Sequence, residues 1–511
     1  MKRLAGAASA LTLALVAGHA APAAASEQLL TEACGACHER TDAGLSRIAG
    51  QRKTPEGWLM SIVRMRIAHG MEISNADQAT LVAWLSETQG MAPAETANYR
   101  YALEKDPNAI EAFDEPLASM CSRCHTGARV MLQRRTAEEW TLLADFHVGQ
   151  YPTTEYQALG RDREWFRIAK EEMTPLLAGQ LPFQTPEWSA WQAAAKTSPA
   201  GDWVVLTAIP GKGQAYGRLT VAGGASPYTV TGEMRLADGT ALPVGGSMNL
   251  YTGYEWRANL TVGDQAMRQV VALSEDGAQG AGRQFLRDAD SLGAGIRLAR
   301  ADGPAAVLGA VPEAAQGSSA AVQIVGAGLG DLAAEGGSLA DVAANAFGAA
   351  ATVSAGGPGV VHVGSAGGTA HVALYDSVDR VSVEPDFTIA RVGGGSAIAP
   401  GVVPAHFTAV GWWNGPDGQP GTDDDIRIGE LDADWSVADR DEASAAMQDA
   451  KYAGAMQDNG IFMPAIGGPN PERQFSTNNA GVLTVTGTAG GQSGEAHLIV
   501  TVQRFIDPPL R

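Results

Sequence analysis

Apolar and polar residues follow a helical period from residue 27 to about residue 180, and this stretch contains few turn signals. Two segments within it have the marks of a helix start. Thr54 stands directly before Pro55, which suits a first helical position, and Thr136 stands three residues before Glu139, as in a capping box. The pattern therefore predicts two helical modules that descend from one repeated unit.

Each module is predicted to finish with a further helix. In the first module this helix follows the capping pattern Ser74-Asn75-Ala76-Asp77, and its apolar stripe is Leu81, Val82, Trp84 and Leu85. In the second module the stripe is Tyr156, Leu159, Trp165, Phe166 and Ile168. Residues 91–116 contain Pro93, Pro107 and Pro116 and are predicted to form a linker with short helical pieces. The modules span about 26–92 and 110–180.

From Asp202 onward the period changes to that of strands, separated by Gly-rich turn signals. In the first part the predicted strands are Trp203 to Ala208, Arg218 to Val221, Tyr228 to Leu236 and Asn249 to Val262. Farther along they are Val361 to Val363, His371 to Tyr375, Gly481 to Gly487 and His497 to Phe505. The chain of 511 residues is too long for one core. We predict a multidomain protein, with an all-α domain (26–180) followed by three antiparallel β domains. These are one barrel-like domain (181–302) and two immunoglobulin-like sandwiches (303–380 and 381–511).

Residues 1–25 have the features of a cleaved signal peptide. Lys2 and Arg3 supply positive charge, Leu4 to Ala17 is mostly apolar, and Ala23 to Ala25 supplies small residues for cleavage near Ser26. A membrane anchor is the alternative, but the apolar run is short, and no later stretch is long and apolar enough to span a bilayer. We therefore predict export to the periplasm.

Composition narrows the classes of partner. The formal net charge is −20. Because phosphates repel an acidic surface, we predict no nucleic-acid partner. An acidic surface instead suits a soluble protein that docks through a basic or neutral patch on a partner.

All 4 cysteines fall in two Cys-x-x-Cys-His motifs, Cys34 to His38 and Cys121 to His125. This is the attachment signature of a c-type haem: two thiols one turn apart form thioethers with the porphyrin, and the adjacent imidazole binds the iron. A zinc knuckle or a redox dithiol is the alternative for one such motif. Because the motif occurs twice and leaves no thiol for another role, we predict two covalently bound haem c groups. Their thioethers come from Cys34, Cys37, Cys121 and Cys124, and their proximal ligands are His38 and His125.

Alignment of the two modules on Trp58 and Trp140 also aligns candidates for the sixth iron ligand. Met65 follows Trp58 by seven residues, and His147 follows Trp140 by the same interval, which is about two helical turns. We predict Met65 as the ligand of the first haem iron and His147 as that of the second. The rivals of Met65 are His69 and Met71, and those of His147 are Met131 and Met173. A thioether raises a haem potential and a second imidazole lowers it, so the two haems would be inequivalent.

These features together resemble the alpha subunit of quinohemoprotein amine dehydrogenase. The resemblance rests on the signal peptide, the two haem motifs, the Thr-x-x-x-Trp segments followed by Met65 and His147, the run Leu176 to Pro182, and the long Gly-rich β tail. It implies one haem domain and three β domains in a periplasmic heterotrimer that oxidises primary amines to aldehydes and ammonia. It also implies partners: a β-propeller subunit and a small subunit that carries cysteine tryptophylquinone. The alpha subunit would pass electrons to a soluble acceptor such as a blue copper protein or a cytochrome c.

The cysteine count agrees with that division of labour. Cysteine tryptophylquinone needs a cysteine bonded to a tryptophan, and this chain has no spare cysteine. We therefore predict no catalytic residue here and place amine oxidation on another chain. Two other functions are open to a chain of this kind: a free-standing dihaem cytochrome c with β binding domains, and a dihaem peroxidase, which needs an open or releasable sixth position.

The β tail offers little further chemistry. His362, His371, His406 and His497 are scattered and lack metal-ligand spacing, so ordinary packed or surface histidines are expected. Asp417 to Asp425 is acidic and contains Gly, but its oxygens do not alternate as in an EF-hand, so an acidic hairpin loop is favoured over a Ca²⁺ site. Trp412 and Trp413 beside it fit either a partner anchor or a core. We expect the tail to act as a scaffold that holds other subunits against the haem domain.

Overall fold

The computed structural model describes residues 23–122, 125–155, 163–394 and 401–502. The described N-terminal region is mainly helical. Its α-helices are α1 Ala23–Cys34, α2 Pro55–His69, α3 Asn75–Gln89, α4 Pro93–Thr96, α5 Arg100–Leu103, α6 Leu117–Cys121, α7 Ala128–Met131, α8 Ala137–Gln150, α9 Trp165–Ile168, α10 Thr174–Gln180 and α11 Pro186–Ala193. A π-helical turn, Ala169–Met173, joins α9 to α10. No helix in the described ranges is long and apolar enough to cross a bilayer.

The predicted helix starts are confirmed. The Thr54 hydroxyl caps α2 by accepting from the Gly57 amide at 3.3 Å, and the Thr136 hydroxyl caps α8 by accepting from the Glu139 amide at 3.2 Å. The Ser74 hydroxyl does the same for α3. Each cap satisfies an amide that the first helical turn leaves without a partner.

The prediction of an all-α domain needs correction, because this region also contains four short strands. They are β1 Arg40–Thr41, β2 Gly44–Leu45, β3 Gln51–Lys53 and β4 Gln133–Arg135, paired antiparallel as β1–β2 and β3–β4. Strands of two or three residues are too short to produce a period in the sequence. The β3–β4 pair joins the two modules.

A closed antiparallel barrel follows, in the order β5 to β12, with β12 paired to β5. Its strands are β5 Gly201–Ile209, β6 Gly213–Ala222, β7 Tyr228–Leu236, β8 Ala241–Tyr251, β9 Glu255–Val262, β10 Gln265–Leu273, β11 Gln279–Leu286 and β12 Ala289–Arg300. The barrel prediction is confirmed. The single strand predicted over Asn249 to Val262 is wrong, since the turn after Tyr251 divides it into β8 and β9. Trp188 and Trp191 of α11 pack into the barrel core with Trp203 and Trp256.

The next region consists of two four-stranded sheets. One contains β13 Ala306–Val311, β15 Ser319–Ala327, β17 Ser338–Asn345 and β18 Gly348–Ser354, and the other contains β14 Ala314–Gln316, β16 Ala333–Glu335, β19 Gly359–Ser365 and β20 Gly368–Tyr375. Ile324 and Val353 of the first sheet share a fully buried core with Val363 and Val372 of the second. This region is therefore a two-sheet sandwich.

The last region is also built of sheets, with two short helices added. Its strands are β21 Arg380–Glu384, β22 Phe387–Arg391, β23 Ala405–His406, β24 Thr408–Trp413, β25 Ile426–Leu431, β26 Asp434–Asp439, β27 Gly454–Met456, β28 Ile461–Pro464, β29 Gly481–Ala489 and β30 Gln492–Thr501, and its helices are α12 Glu442–Met447 and α13 Asp449–Tyr452. Phe407 and Phe462 are buried at its core. The immunoglobulin-like topology of these two regions stays a prediction.

The helical region contacts the barrel at the turn between β8 and β9. The Thr252 amide donates to Glu87 at 2.6 Å, and the Trp191 indole donates to the Thr252 carbonyl at 2.9 Å. The hydroxyls of Thr96 and Tyr254 lie 3.0 Å apart in the same buried layer. The first module, the following linker and α11 are thereby joined to the barrel through buried and half-buried polar contacts.

Candidate functional site

The first haem motif continues directly from the last turn of α1. The amides of Cys37 and His38 donate to the Cys34 carbonyl at 3.1 and 3.0 Å, so the three motif side chains follow one another over a single turn. His38 Nδ1 donates to the Ser46 carbonyl at 2.8 Å. A histidine held by a carbonyl at Nδ1 keeps Nε2 without a proton and available to a metal. The turn therefore presents two thiols and one oriented imidazole, as haem c attachment needs.

The second motif has the same local design. Cys121 ends α6, and His125 Nδ1 donates to the Thr126 carbonyl at 2.8 Å. The other predicted thioether cysteine, Cys124, lies outside the described residues. His125 is thus held in the same tautomer as His38, by a carbonyl from its own loop.

His147, the predicted sixth ligand of the second iron, lies close to His125. It lies in the last turn of α8, where its Nδ1 donates to the Leu143 carbonyl at 2.7 Å. The ring centroids of His125 and His147 are 6.5 Å apart, with an angle of 39° between the planes. Two metal–nitrogen bonds of about 2 Å each, plus half an imidazole ring on either side, span roughly 6 Å. The spacing therefore fits an iron ion held between the two imidazoles.

The electrostatics of His147 suit a metal ligand. Burial lowers its pKa to about 4, the hydrogen bond to Leu143 opposes this, and the positive charges of His125, Arg129 and Arg135 add to it. The imidazole is consequently neutral at physiological pH, which is the form that binds iron. Trp165 lies 5.5 Å from the His147 ring, centroid to centroid, and supplies an apolar wall.

In the first module, the contacts of the described residues do not single out one of the three candidates for the sixth iron ligand. Met65 is half-buried near the end of α2, and its carbonyl accepts from the Met71 amide at 3.1 Å. Met71 is half-buried and packs on the apolar cluster that also includes Cys34, whereas His69 is exposed. Met65 stays the predicted ligand. Met71 stays its rival, because it packs against the same apolar cluster as Cys34.

Cys34 and Cys121 are in surroundings that disfavour the thiolate. Burial raises the pKa of Cys121 to about 11, and burial together with the charge of Cys37 raises that of Cys34. Reactive and zinc-binding cysteines are found where the thiolate is stabilised instead. Within the described part of the chain, no three His, Cys, Asp or Glu side chains are grouped closely enough to hold a metal ion. The surroundings of Cys34 and Cys121 are therefore unlike those of reactive or zinc-binding cysteines.

Trp58 and Trp140 confirm the repeat. Both are buried, and each indole N–H donates to a carbonyl near the end of its own module: Gln89 at 3.0 Å and Leu181 at 3.2 Å. A cation lies over each ring, Lys53 over Trp58 at 4.9 Å and Arg135 over Trp140 at 5.7 Å. Equivalent positions thus have equivalent contacts in the two modules.

A buried ion-pair network beside the β3–β4 pair was not predicted. Arg52 donates to both oxygens of Glu95 at 2.9 Å, and Arg134 lies 3.2 Å from the same carboxylate. Sequence reasoning had a signal for these residues: Gln51-Arg52-Lys53 and Gln133-Arg134-Arg135 precede the two capping threonines at the same offset. Glu95, in the predicted linker, gave no such signal.

A second unpredicted network connects the first module to the barrel. Arg257 of β9 donates to Glu56 at 2.6 Å and lies 3.3 Å from Glu255. Burial raises the pKa of Glu255 to about 8, against the opposing charge of Arg257 and with a contribution from Glu56. Burial also acts on Glu56, but the charge and hydrogen bond of Arg257 outweigh it and lower the pKa of that carboxyl. Arg257 therefore serves mainly Glu56, and Glu255 holds a proton near neutral pH.

In the β tail, two of the histidines that looked scattered are neighbours. His362 and His371 face each other across β19 and β20, with their Nδ1 atoms 2.8 Å apart. His406 is largely buried, while His497 packs on the Phe387 ring at 5.1 Å. The four histidines lie on four different strands, and among the described residues they do not form a common site.

The Asp417 to Asp425 segment is the loop of the β24–β25 hairpin, as predicted. Its carboxylates are used inside the loop and against the sheet. Asp417 accepts from the Gln419 amide, and Asp425 pairs with Arg380 at 2.6 Å. Trp413 is buried in the core, and Trp412 donates to the Ser382 hydroxyl at 2.8 Å.

Comparison with known protein families gives three matches. The model described as "Quinohemoprotein amine dehydrogenase A, alpha subunit, haem binding" matches residues 24–188. The models for alpha subunit domain II and alpha subunit domain IV of the same enzyme match residues 196–301 and 381–510. Comparison with curated protein sequences finds no match.

Solved structures similar to parts of the chain include designed and natural β proteins. "Structure of a redesigned beta barrel, mFAP1, bound to DFHBI" is 15% identical, with 20% of this chain and 93% of that chain covered and a TM-score of 0.17. "Structure of mouse clustered PcdhgC3 EC1-3" is 11% identical, with 44% and 76% covered and a TM-score of 0.17. Scores this low carry no argument about function.

Proposed function

This chain belongs to the quinohemoprotein amine dehydrogenase alpha-subunit family, and we propose that it is the dihaem electron-transfer subunit of a periplasmic amine dehydrogenase. In this function it receives electrons from a cysteine tryptophylquinone on another subunit, where a primary amine is oxidised to an aldehyde and ammonia. It delivers them through two c-type haems to a soluble acceptor such as a blue copper protein or a cytochrome c.

The observation that carries this proposal is the placement of His147 opposite His125. Two imidazoles, each oriented by a carbonyl at Nδ1, have ring centroids 6.5 Å apart in the module that contains the half-buried Cys121. An iron with a strong ligand on both sides exchanges electrons without binding a substrate. The second site is therefore suited to electron transfer.

Bound haem would supply a one-electron Fe(III)/Fe(II) couple at each site. The side chains of this chain would hold, orient and enclose it. Cys34, Cys37, Cys121 and Cys124 would form the thioethers, and the Ser46 and Thr126 carbonyls fix the tautomers of the two proximal histidines. The buried indoles of Trp58 and Trp140 exclude water from the helix faces on which Met65 and His147 lie.

The β regions are proposed to hold the partner subunits. They make up well over half of the chain. The barrel binds the first module through hydrogen bonds from Thr252 to Glu87 and from Arg257 to Glu56. The proposed partners are a β-propeller subunit and a small subunit that carries the quinone, in a heterotrimer. The absence of a fifth cysteine from the sequence supports the location of the quinone on another chain.

A peroxidase is the less favoured function, because a peroxidase iron must open a coordination position to peroxide. The hydrogen bond to the Leu143 carbonyl orients His147, and its ring lies at a distance from His125 that fits an iron between them. His147 can therefore bind the iron without a rearrangement. A resting spectrum with a high-spin haem would favour the peroxidase.

Native mass spectrometry of the complex purified from its source tests the proposal. We expect this chain without residues 1–25, with two haem masses attached, together with a cross-linked small subunit and a larger third subunit. A lone chain that carries two haems would favour the free-standing cytochrome. A chain without covalent haem would contradict the proposal altogether.

A further inference from the structure

A cluster of basic side chains fills the seam between the two modules. Its members, called here the inter-module cationic cluster, are Lys53, Arg64, Arg129 and Arg135. Lys53 and Arg135 lie on the paired strands β3 and β4, both buried, and Arg64 and Arg129 are half-buried. Such a concentration of positive charge away from water is costly unless an anion compensates it.

The two modules differ in how they compensate this charge. Arg135 has a carboxylate from its own module, since Glu139 lies 3.6 Å away. The residue of the first module at the same offset from its capping threonine is Gly57, three residues after Thr54 as Glu139 is three after Thr136. A Cβ atom at Gly57 would lie 2.9 Å from the Cβ of Lys53, so the position has no room for an acid beside this lysine.

Lys53 is consequently buried without a carboxylate partner among the described residues. Its ammonium group donates to the Ser61 hydroxyl at 2.7 Å and lies over the Trp58 ring. Burial and the charges of Arg135, Arg64 and Arg129 lower its pKa well below the usual value, and Glu139 only partly opposes them. The part of the chain that the structure describes therefore gives Lys53 no carboxylate of its own, and this leaves a site for a negatively charged group.

The cluster lies next to both predicted iron sites. Arg64 precedes Met65 in α2, and its guanidinium stacks on the ring of Phe146, the neighbour of His147, at 4.8 Å. Arg129 follows His125 by four residues, at the start of α7. The cluster therefore lies close to His147, on which Arg129 and Arg135 also act by charge, and it is adjacent to Met65 in the sequence through Arg64.

We propose that the inter-module cationic cluster binds the propionate carboxylates of the haem groups. Haem carries two propionates, and carboxylate is the anion that guanidinium and ammonium groups bind most directly in a dry site. A bound propionate would compensate the charge of Lys53, which has no acid at the Gly57 position, and would keep Lys53 protonated. Because the cluster is formed by both modules, it also ties haem attachment to the β3–β4 contact. This inference rests on the proposed function, since it requires haem at the two motifs.

The potentials of the haems test it in the holoprotein. A protonated Lys53 beside a propionate favours the reduced iron, so Lys53→Met should shift at least one midpoint potential downward. The expected change in the reduced-to-oxidised equilibrium constant is about tenfold for one charge at this range, which equals 59 mV for a one-electron couple. The methionine keeps the apolar stem over Trp58. The matched control is Lys170→Met, which removes a half-buried lysine paired with Asp145. It should change the reduced-to-oxidised equilibrium constant of either haem by less than about twofold.

The haem content of each variant is measured first, by mass and by the pyridine haemochrome spectrum. A wild-type chain without two haems contradicts the proposed function itself. Two attached haems whose potentials are unchanged by Lys53→Met overturn only the present inference, because they show that Lys53 is neutral or remote from the propionates.

A crystal structure of the unmodified holoprotein provides a second test that does not depend on a variant folding. Propionate oxygens within hydrogen-bonding distance of Lys53 Nζ or the Arg135 guanidinium support the inference. Propionates that face solvent, or an inorganic anion bound at Lys53 in their place, overturn it.

Discussion

Arg52 and Arg134 lie opposite each other at the centre of the β3–β4 pairing, and they bind the same buried carboxylate, Glu95. On either side of them Gln51 pairs with Arg135 and Lys53 pairs with Gln133. This register is that of a local two-fold axis between equivalent residues of the two modules. The repeat is therefore a symmetric pair of units joined back to back, and not two units in tandem that meet through a linker alone.

The Arg52–Glu95 pair should dominate the stability of this joint. Both side chains are almost fully buried, at 1% and 3% exposed, and removal of Arg52 takes two charged hydrogen bonds from Glu95 and leaves it with Arg134 alone. We expect Arg52→Met to destabilise the haem domain by about 3–5 kcal/mol, measured by thermal unfolding monitored at the haem absorption. Arg167→Met is the control, because Arg167 pairs with Glu164 and Glu171 in full exposure to solvent and its loss should have almost no effect. Equal stability of the two variants would contradict the account of the joint.

The same pair predicts acid sensitivity. Burial alone would raise the pKa of Glu95, but the hydrogen bonds and charge of Arg52 outweigh it and lower the pKa below its usual value. The stabilisation is therefore present above the pKa of an unfolded glutamate, near 4.5, and is lost as the pH falls through the folded value. Glu95→Gln should flatten this acid limb of the melting temperature. An unchanged acid limb in that variant would assign the effect to other carboxyls.

Glu255 predicts the opposite dependence at higher pH. Its folded pKa, raised to about 8 by burial, lies above that of the unfolded chain. Its favourable contribution is complete below the unfolded pKa and is lost as the pH rises through about 8, where a second buried carboxylate must form beside Glu56. We expect the melting temperature to fall between about pH 4.5 and about pH 8, and Glu255→Gln to reduce that fall. Glu233→Gln, at the barrel surface, should leave it as in the wild type, and a wild-type fall in the Glu255 variant would count against this protonation state.

The assignment of His147 predicts a change confined to one haem. In His147→Ala the second iron should lose its sixth ligand and become high-spin, while the first haem keeps its spectrum; electron paramagnetic resonance separates the two. His147→Met should retain a low-spin iron but raise its midpoint potential, since a thioether stabilises Fe(II). His406→Ala, far along the chain, is the control. Two low-spin haems in His147→Ala would mean that another residue is the ligand.

The first haem distinguishes Met65 from Met71. Replacement of the ligand methionine by histidine should lower the midpoint potential of the first haem, and replacement of the other methionine should not. The helical offset from Trp58 favours Met65→His as the variant that responds. A response from Met71→His instead would show that packing beside Cys34 decides the ligand and that the offset does not.

Much of the fold could be predicted because local chemistry determines it. The capping residues Thr54, Thr136 and Ser74 mark helix starts that the structure reproduces, and the strand period predicted β7 at its observed bounds, Tyr228–Leu236. The turn at Thr252 was missed because the residues around it alternate as a continuous strand would, and contacts with Glu87 and Trp191 from the helical region stabilise the break. The strands β3 and β4 have three residues each, which is too short for a period in the sequence to predict them.

The candidate site divides in the same way. Motif spacing predicts the proximal histidines, and alignment of the repeat predicts His147, since those relations lie within one module. Glu95, Glu255 and the compensation of Lys53 depend on contacts between distant segments, which no local pattern encodes. The sequence aligns Gly57 with Glu139, but only the folded chain shows that Glu139 lies beside Arg135 and that Lys53 has no equivalent acid among the described residues.

Reduction of the haems by a primary amine tests the central claim most directly. The native complex, purified from its source and fully oxidised, is mixed with a primary amine while the visible spectrum is recorded. We predict that both haems of this chain become reduced in the complex, and that the isolated chain, with its haems attached, stays oxidised under the same conditions. Haems that stay oxidised in the intact complex would contradict the assignment of this chain as the electron-transfer subunit of an amine dehydrogenase.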